Sequence, residues 1–176
     1  ASFALIAYAS AYLKCYHPTA FLIALLNAWP MGFYHPASLV KDAQRHGVGV
    51  LPIDVNFSGW RCLWEELKSK SAHKENEPSP SSMRAAGACR IGLRYISGLR
   101  RDTGERLAAE RRAAPFRNVE ELKLRAALRG EELARLSEAG ALASLGLTRR
   151  AALWQAALAV RPKGALYEER ASESHD

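Results

Sequence analysis

The chain has 176 residues, enough for one ordinary domain or two small ones, and its 48% apolar content is enough to build buried cores. Net charge is +7 with a pI near 9.6, and fourteen Lys or Arg against eight Asp or Glu fall within residues 88–150, so a basic surface in the second half favours a polyanionic partner. Cys15, Cys62 and Cys89 form no CxxC pair and no even-numbered framework, which argues against a structural zinc site and fits a reducing compartment.

Taken in chain order, residues 2–16 read as a helix, with Ser2 as N-cap and Leu5, Tyr8, Tyr12 and Cys15 at helical spacing. Pro18 suits the first turn of a second helix running through Phe21, Leu22, Leu25 and Leu26 until Pro30 stops it. Lys14, His17 and Pro18 divide this apolar opening into pieces too short to cross a bilayer. No basic leader or cleavage site marks a signal peptide. The chain starts without methionine inside an apolar pattern, which implies a piece of a longer protein. After a turn over Met31-Gly32-Phe33-Tyr34, Pro36 opens a third helix that Gly47 closes behind Lys41, Arg45 and His46, where basic side chains suit the dipole. Val48 to Val55 is extended, and Pro52 restricts it to one short or edge strand. Residues 68–84 are polar, proline-bearing and aperiodic, as in a linker or long exposed loop. Residues 151–160 form a short helix ended by Arg161-Pro162, and the polar tail over 161–176 is expected to be disordered.

Within 85–150 one pattern is written twice: an apolar helix, a glycine turn, and a second helix opening with basic residues. The first copy runs from Ile91 through Gly98, Leu99 and Arg100 to Arg101-Asp102-Thr103-Gly104-Glu105-Arg106. The second runs from Glu131 through Gly140 and Leu142 to Gly146-Leu147-Thr148-Arg149-Arg150. Gly98 and Gly140 hold equivalent places, and a second glycine follows six residues later in both, Gly104 and Gly146. Backbone N–H groups at such a turn, beside arginines, suit a phosphate, and two hairpins side by side suit a duplex gripped without readout of its sequence. A turn glycine that simply ends a helix is the competing reading. Nucleic acid is preferred to a membrane because the arginines gather at turns, not along one amphipathic face. The expected DNA contacts are Gly98, Leu99, Arg100, Arg101, Thr103, Gly104, Arg106, Gly140, Arg149 and Arg150.

No catalytic constellation is evident. Asp42 and Asp54 are isolated carboxylates, not the pair that clamps two metal ions. Ser58-Gly59 has no histidine in a triad-like context, and Gly47-Val48-Gly49 follows a helix where a phosphate loop would precede one. Tyr8, Tyr12, Tyr16, Phe21, Trp29, Phe33 and Tyr34 read as core and interface residues in preference to base-stacking platforms.

The segment order is similar to a known family. Ser2-Phe3-Ala4-Leu5-Ile6-Ala7-Tyr8, Ala11-Tyr12-Leu13-Lys14 and Pro18-Thr19-Ala20-Phe21 resemble the end of the fingers of bacterial C-family DNA polymerases, the polymerase III alpha-subunit type. Trp29-Pro30-Met31-Gly32-Phe33-Tyr34, Arg45-His46-Gly47-Val48, Val50–Asn56, Ala114–Leu122 and Ala139–Leu142 extend the match over about residues 1–160. The Pro-Met-Gly-Phe-Tyr run, Ser58–Trp60–Cys62 and Gly92-Leu93-Arg94-Tyr95 lean toward the error-prone branch.

The resemblance implies a mainly α fold, with the end of the fingers over 1–67 and a tandem helix-hairpin-helix module over 85–160, on either side of the polar linker (68–84) and before the polar tail (161–176) that composition marks. It also implies a parent enzyme that performs template-directed nucleotidyl transfer past DNA damage, with Mg²⁺ and deoxynucleotides, in the bacterial cytoplasm at the nucleoid. Its palm carboxylates would lie outside this segment, which alone should be inactive. Implied partners are primer-template duplex, the rest of the polymerase chain, and the sliding clamp and accessory repair proteins. Lys14 would face the nucleotide or template side, against the simpler reading of a solvent-exposed lysine. Two departures from the pattern stand out: Arg100 occupies the place of the first hairpin's usual second glycine, and Leu142 that of the second hairpin's. The 68–84 stretch is also longer than the family pattern. The alternative is a free-standing, non-enzymatic DNA-binding or scaffold protein.

Overall fold

The computed structural model describes residues 2–32, 34–67 and 87–160. The linker expected at 68–84, the tail at 161–176 and Phe33 lie outside the described residues.

Three helices come first: α1 (Ser2–Tyr16), α2 (Pro18–Ala28) and α3 (Pro36–Arg45). Their bounds follow the punctuation of the sequence. Prolines sit in the first turns of α2 and α3, where a missing N–H costs nothing, and the His35 ring accepts from the Ala37 amide. Ser2 is already inside α1 and not its cap. No residue of α1 is buried: Tyr8, Tyr12 and Tyr16 lie ring beside tilted ring along its exposed face, so they do not belong to this chain's core.

A small sheet follows, β1 (Gly49–Leu51), β2 (Leu63–Glu66) and β3 (Gly87–Arg90), in the order β1-β3-β2. Strand β3 runs parallel to β1 and antiparallel to β2. The sequence predicts at most one short strand or hairpin near 48–55; β2 and β3 are additional. Their alternation is weak, because β3 is central and buried at every position, a pattern that periodicity cannot tell from other apolar runs. Buried Arg90 stays in β3 because its guanidinium forms a two-point ion pair with Glu65, both bonds 2.7 Å, and donates to the Pro52 carbonyl. Leu22, Leu26, Val48, Cys62 and Cys89 make the core between α2, α3 and the sheet.

The rest is helical: a 3₁₀ turn (Leu93–Tyr95), α4 (Arg101–Ala113), α5 (Val119–Arg125), α6 (Gly130–Glu138), a second 3₁₀ turn (Ala143–Leu145) and α7 (Arg149–Val160). One core unites them, from Val55 and Leu93 through Leu99, Leu107, Leu122, Leu133 and Leu136 to Leu142 and Ala156. The class is therefore mainly α with a three-stranded sheet. Among the described residues no helix is long and apolar enough to cross a membrane.

The first repeat copy corrects the sequence reading. The expected helix over 91–100 is a single 3₁₀ turn, because the backbone donors of that stretch are taken by other parts of the chain. The Ile91 amide donates to Leu51, Leu93 to Gly59 and Arg94 to Trp60. Gly92 lies so close to the Trp60–Arg61 backbone that a Cβ there would fall 2.5 Å from the Arg61 carbonyl carbon. Tertiary contact replaces the helix ladder.

Candidate nucleic-acid interface

Each copy turns on a glycine in the left-handed region, Gly98 at φ +82° and Gly140 at φ +72°, so the sequence correctly marked both turns. The two following glycines are not equivalent. Gly146, at φ +74°, caps the second 3₁₀ turn in open space. Gly104 is inside α4, buried, where a Cβ would stand 2.4 Å from the Trp60 ring. Gly104 is thus a packing glycine that lets a helix approach an indole, not part of a phosphate turn.

The amides differ as well. In the second hairpin Gly140 donates to Ser137, Ala141 to Leu136, Leu145 to Leu142 and Gly146 to Ala143. The Ser144 amide donates 2.9 Å to Oδ2 of Asp54, whose other oxygen accepts from the Asn56 amide. Asn56 in turn ties Phe116 and Ser144 together. Asp54, an isolated carboxylate in the sequence, is the buried clasp of the second hairpin. At the first hairpin Leu99 is buried and its amide donates to Ile96, whereas the first turn of α4 receives no side-chain cap, and Arg101 and Asp102 are exposed there. Uncapped amides and the helix dipole favour an anion at that end.

The side chains expected at the duplex divide into three groups. Thr103 is fully buried and donates 2.8 Å to Glu132 Oε1. Arg100 donates to the same oxygen at 2.9 Å, and the Arg129 amide donates to Oε2. Burial alone would push the Glu132 carboxyl up, but the bonds from Arg100, Thr103 and the Arg129 amide outweigh it and hold it down at about 2. Arg106 donates 2.7 Å to the Ala126 carbonyl at the end of α5, leaving Arg106 half-buried. Arg101, Arg149 and Arg150 remain exposed; Arg101 pairs with Glu105 in an (i, i+4) bridge. Lys14 is elsewhere, on α1, 2.8 Å from Asp42 of α3, and this contact draws the Asp42 carboxyl below its usual range.

Much of the local positive charge works inside the protein. Arg94 donates to the Asn27 and Trp29 carbonyls, Arg111 to Ser58, and Arg125 to Glu110 and Ala114, where they satisfy carbonyls at helix ends and in loops. Composition counted these as surface charge; only contact distances separate them from the exposed set. Sequence reasoning also passed over Glu132, whose signal was a carboxylate in a helix's first turn, and Arg135. Arg135 reaches back across the two copies: a Cβ on Gly98 would lie 3.7 Å from its Cγ and Nε.

Residues 47–152 match the family described as helix-hairpin-helix motif. The chain belongs to that family. Its curated relatives include proteins named error-prone DNA polymerase. That of Aromatoleum aromaticum is 49% identical over 173 residues, 98% of this chain and 15% of the relative. That of Methylococcus capsulatus is 44% identical over 169 residues, 89% of this chain and 15% of the relative. In Burkholderia pseudomallei the identity is 46% over 166 residues, 94% of this chain and 15% of the relative. This helix-hairpin-helix chain thus spans about 15% of the length of the polymerases it matches. The resemblance to the error-prone branch of the C-family polymerases, drawn from sequence runs, agrees with these relatives.

Proposed function

We propose that this chain is the duplex-holding portion of an error-prone, translesion DNA polymerase, gripping primer-template DNA by its phosphates without regard to sequence. The observation that carries the reading is the first hairpin: a left-handed glycine turn leading into an uncapped helix start, with exposed Arg101 beside it and Arg149 and Arg150 at the start of α7. Relatives named as polymerases support the same reading. Thr103, Gly104 and the Leu99 side chain support the turn from within in this reading, while Arg101, Arg149 and Arg150 face the DNA. The contribution of the second hairpin is then mainly structural, since its amides serve Asp54 and its own turn.

Template-directed nucleotidyl transfer, Mg²⁺ and deoxynucleotides belong, on this proposal, to the rest of the parent polymerase. Among the described residues no three His, Cys, Asp or Glu side chains stand together to hold a metal ion, and Asp42 and Asp54 are engaged by Lys14 and by backbone amides. The clamp and repair accessory proteins remain partners of that parent, with the bacterial cytoplasm as its proposed location.

The test is fluorescence anisotropy of a labelled duplex with the 176-residue chain. A grip on about three to five phosphates should weaken ten-fold or more over a few-fold rise in salt, with little difference between sequences. An affinity indifferent to salt would sink the reading. Supplied with primed template, Mg²⁺ and nucleotides, the same chain should leave the primer unextended; extension by a highly purified sample would place the chemistry here after all.

A further inference from the structure

The two hairpins share a feature that the sequence repeat does not contain. At Gly140, an added Cβ would be 3.6 Å from Nε and Nη2 of Arg149, so a guanidinium lies over the turn. At Gly98 the matching guanidinium is that of Arg135, 3.7 Å away by the same measure. Arg149 comes from the helix that follows its own turn. Arg135 comes from α6, the first helix of the other copy. The same arginine-over-glycine arrangement is thus built twice from different places in the chain.

Charge at the first hairpin explains why a second cation matters. Arg100, the sequence candidate, shares Glu132 with Thr103, and that carboxylate is only 4% exposed, so moving Arg100 to a phosphate would leave a buried charge short of a partner. Asp102 adds a negative charge in the first turn of α4. Arg135 is differently placed. Its side chain is 55% exposed and, among the described residues, its ion pair is with Glu138, itself 51% exposed, three residues away on the same helix. Exposed pairs of this kind are worth little, so exchanging Glu138 for a phosphate oxygen costs little.

We propose that Arg135 is a phosphate-binding residue of the first hairpin, supplied across the repeat and taking the position over Gly98 that Arg149 takes over Gly140. This rests on the duplex-binding reading above and assigns its cation. The ligand is one backbone phosphate of duplex DNA, approached from the Gly98 side, with Arg101 beside it. Arg100 becomes a positioning residue that locks the turn to α6 through Glu132.

Anisotropy with a labelled duplex, on the full 176-residue chain at two salt concentrations, tests this. Folded Arg135→Ala should bind about five- to ten-fold more weakly at low salt and flatten the salt slope by roughly one. Arg135→Lys should keep most of the slope. Glu138→Gln should tighten binding, more than Glu131→Gln, also exposed on that helix, and this gain should vanish in the Arg135→Ala background. Circular dichroism checks that each variant is folded. If Arg135→Ala binds like the parent while the parent shows salt-dependent binding, the assignment of Arg135 falls and the duplex reading stands. If the parent itself shows no salt-dependent duplex binding, both fall together.

Discussion

The two hairpins share a sequence pattern but differ in what holds them. The second is a full helix-turn-helix, α6 to α7, with the Gly140, Ala141, Ser144, Leu145 and Gly146 amides bonded within the chain and Leu136 and Leu142 buried. The first enters its turn from a single 3₁₀ turn suspended from the 59–60 loop, and it is pinned by ionic contacts around Glu132. A repeat in sequence therefore guarantees an equivalent turn, not equivalent helices. The copy with fewer internal hydrogen bonds at its turn is also the copy with donors to offer.

The largest expected contrast is in stability. Leu136→Ala or Leu142→Ala should cost about 2–5 kcal/mol in chemical denaturation, since both side chains are essentially inaccessible. Ser97→Ala at the exposed edge of the first hairpin should change little. A loss at exposed Ser97 comparable to that at Leu142 would mean that the turn of the first hairpin is held as tightly as the packed second one.

The paired glycines offer a sharper test. Gly104→Asn should cost about 1–3 kcal/mol or more by overpacking against Trp60. Gly146→Asn should cost well under the roughly 1–2 kcal/mol that most side chains lose in a left-handed turn, because asparagine visits that region readily. Thermal melts that ranked the two in reverse would show that Gly104 is a turn glycine.

Acid should loosen the first hairpin. The Glu132 carboxyl is held at about 2 in the folded state, below the ordinary range it regains on unfolding. Its contribution is thus fully present at neutral pH and lost as pH falls from that ordinary range toward 2. Glu132→Gln should cost about 1.5 kcal/mol at pH 7, near the low end for a charged hydrogen bond because Arg100 is half exposed. Denaturation curves should show the variant less sensitive to pH below 5; an undiminished acid dependence would move the effect to another carboxylate.

The smallest effects concern binding. Arg101→Ala and Arg149→Ala should each flatten the salt slope of duplex binding by roughly one without altering stability, while Arg100→Ala should lower stability more than affinity per folded molecule. Equal losses of affinity at Arg100 and Arg101, with stability unchanged, would return Arg100 to the DNA surface.

Local chemistry made much of this legible in the residues. Pro18 and Pro36 fixed helix starts, Pro30 and Gly47 followed helix ends, and Gly98 and Gly140 marked turns, because each acts through its own backbone preference. Apolar periodicity was enough for α1, α2 and the helix containing Trp154. What tertiary structure alone decided is where hydrogen-bond donors find acceptors. The residues over 91–100 lost their helix because distant carbonyls at Leu51, Gly59 and Trp60 took the amides. Central β3 formed where two neighbouring strands could satisfy it. Arginines identical on the page became carbonyl caps, as at Arg106 and Arg125, a lock on a buried carboxylate, as at Arg100, or exposed cations, as at Arg101 and Arg149. A guanidinium reaches several ångströms from its backbone, so its role depends on which acceptor the folded chain brings within that reach.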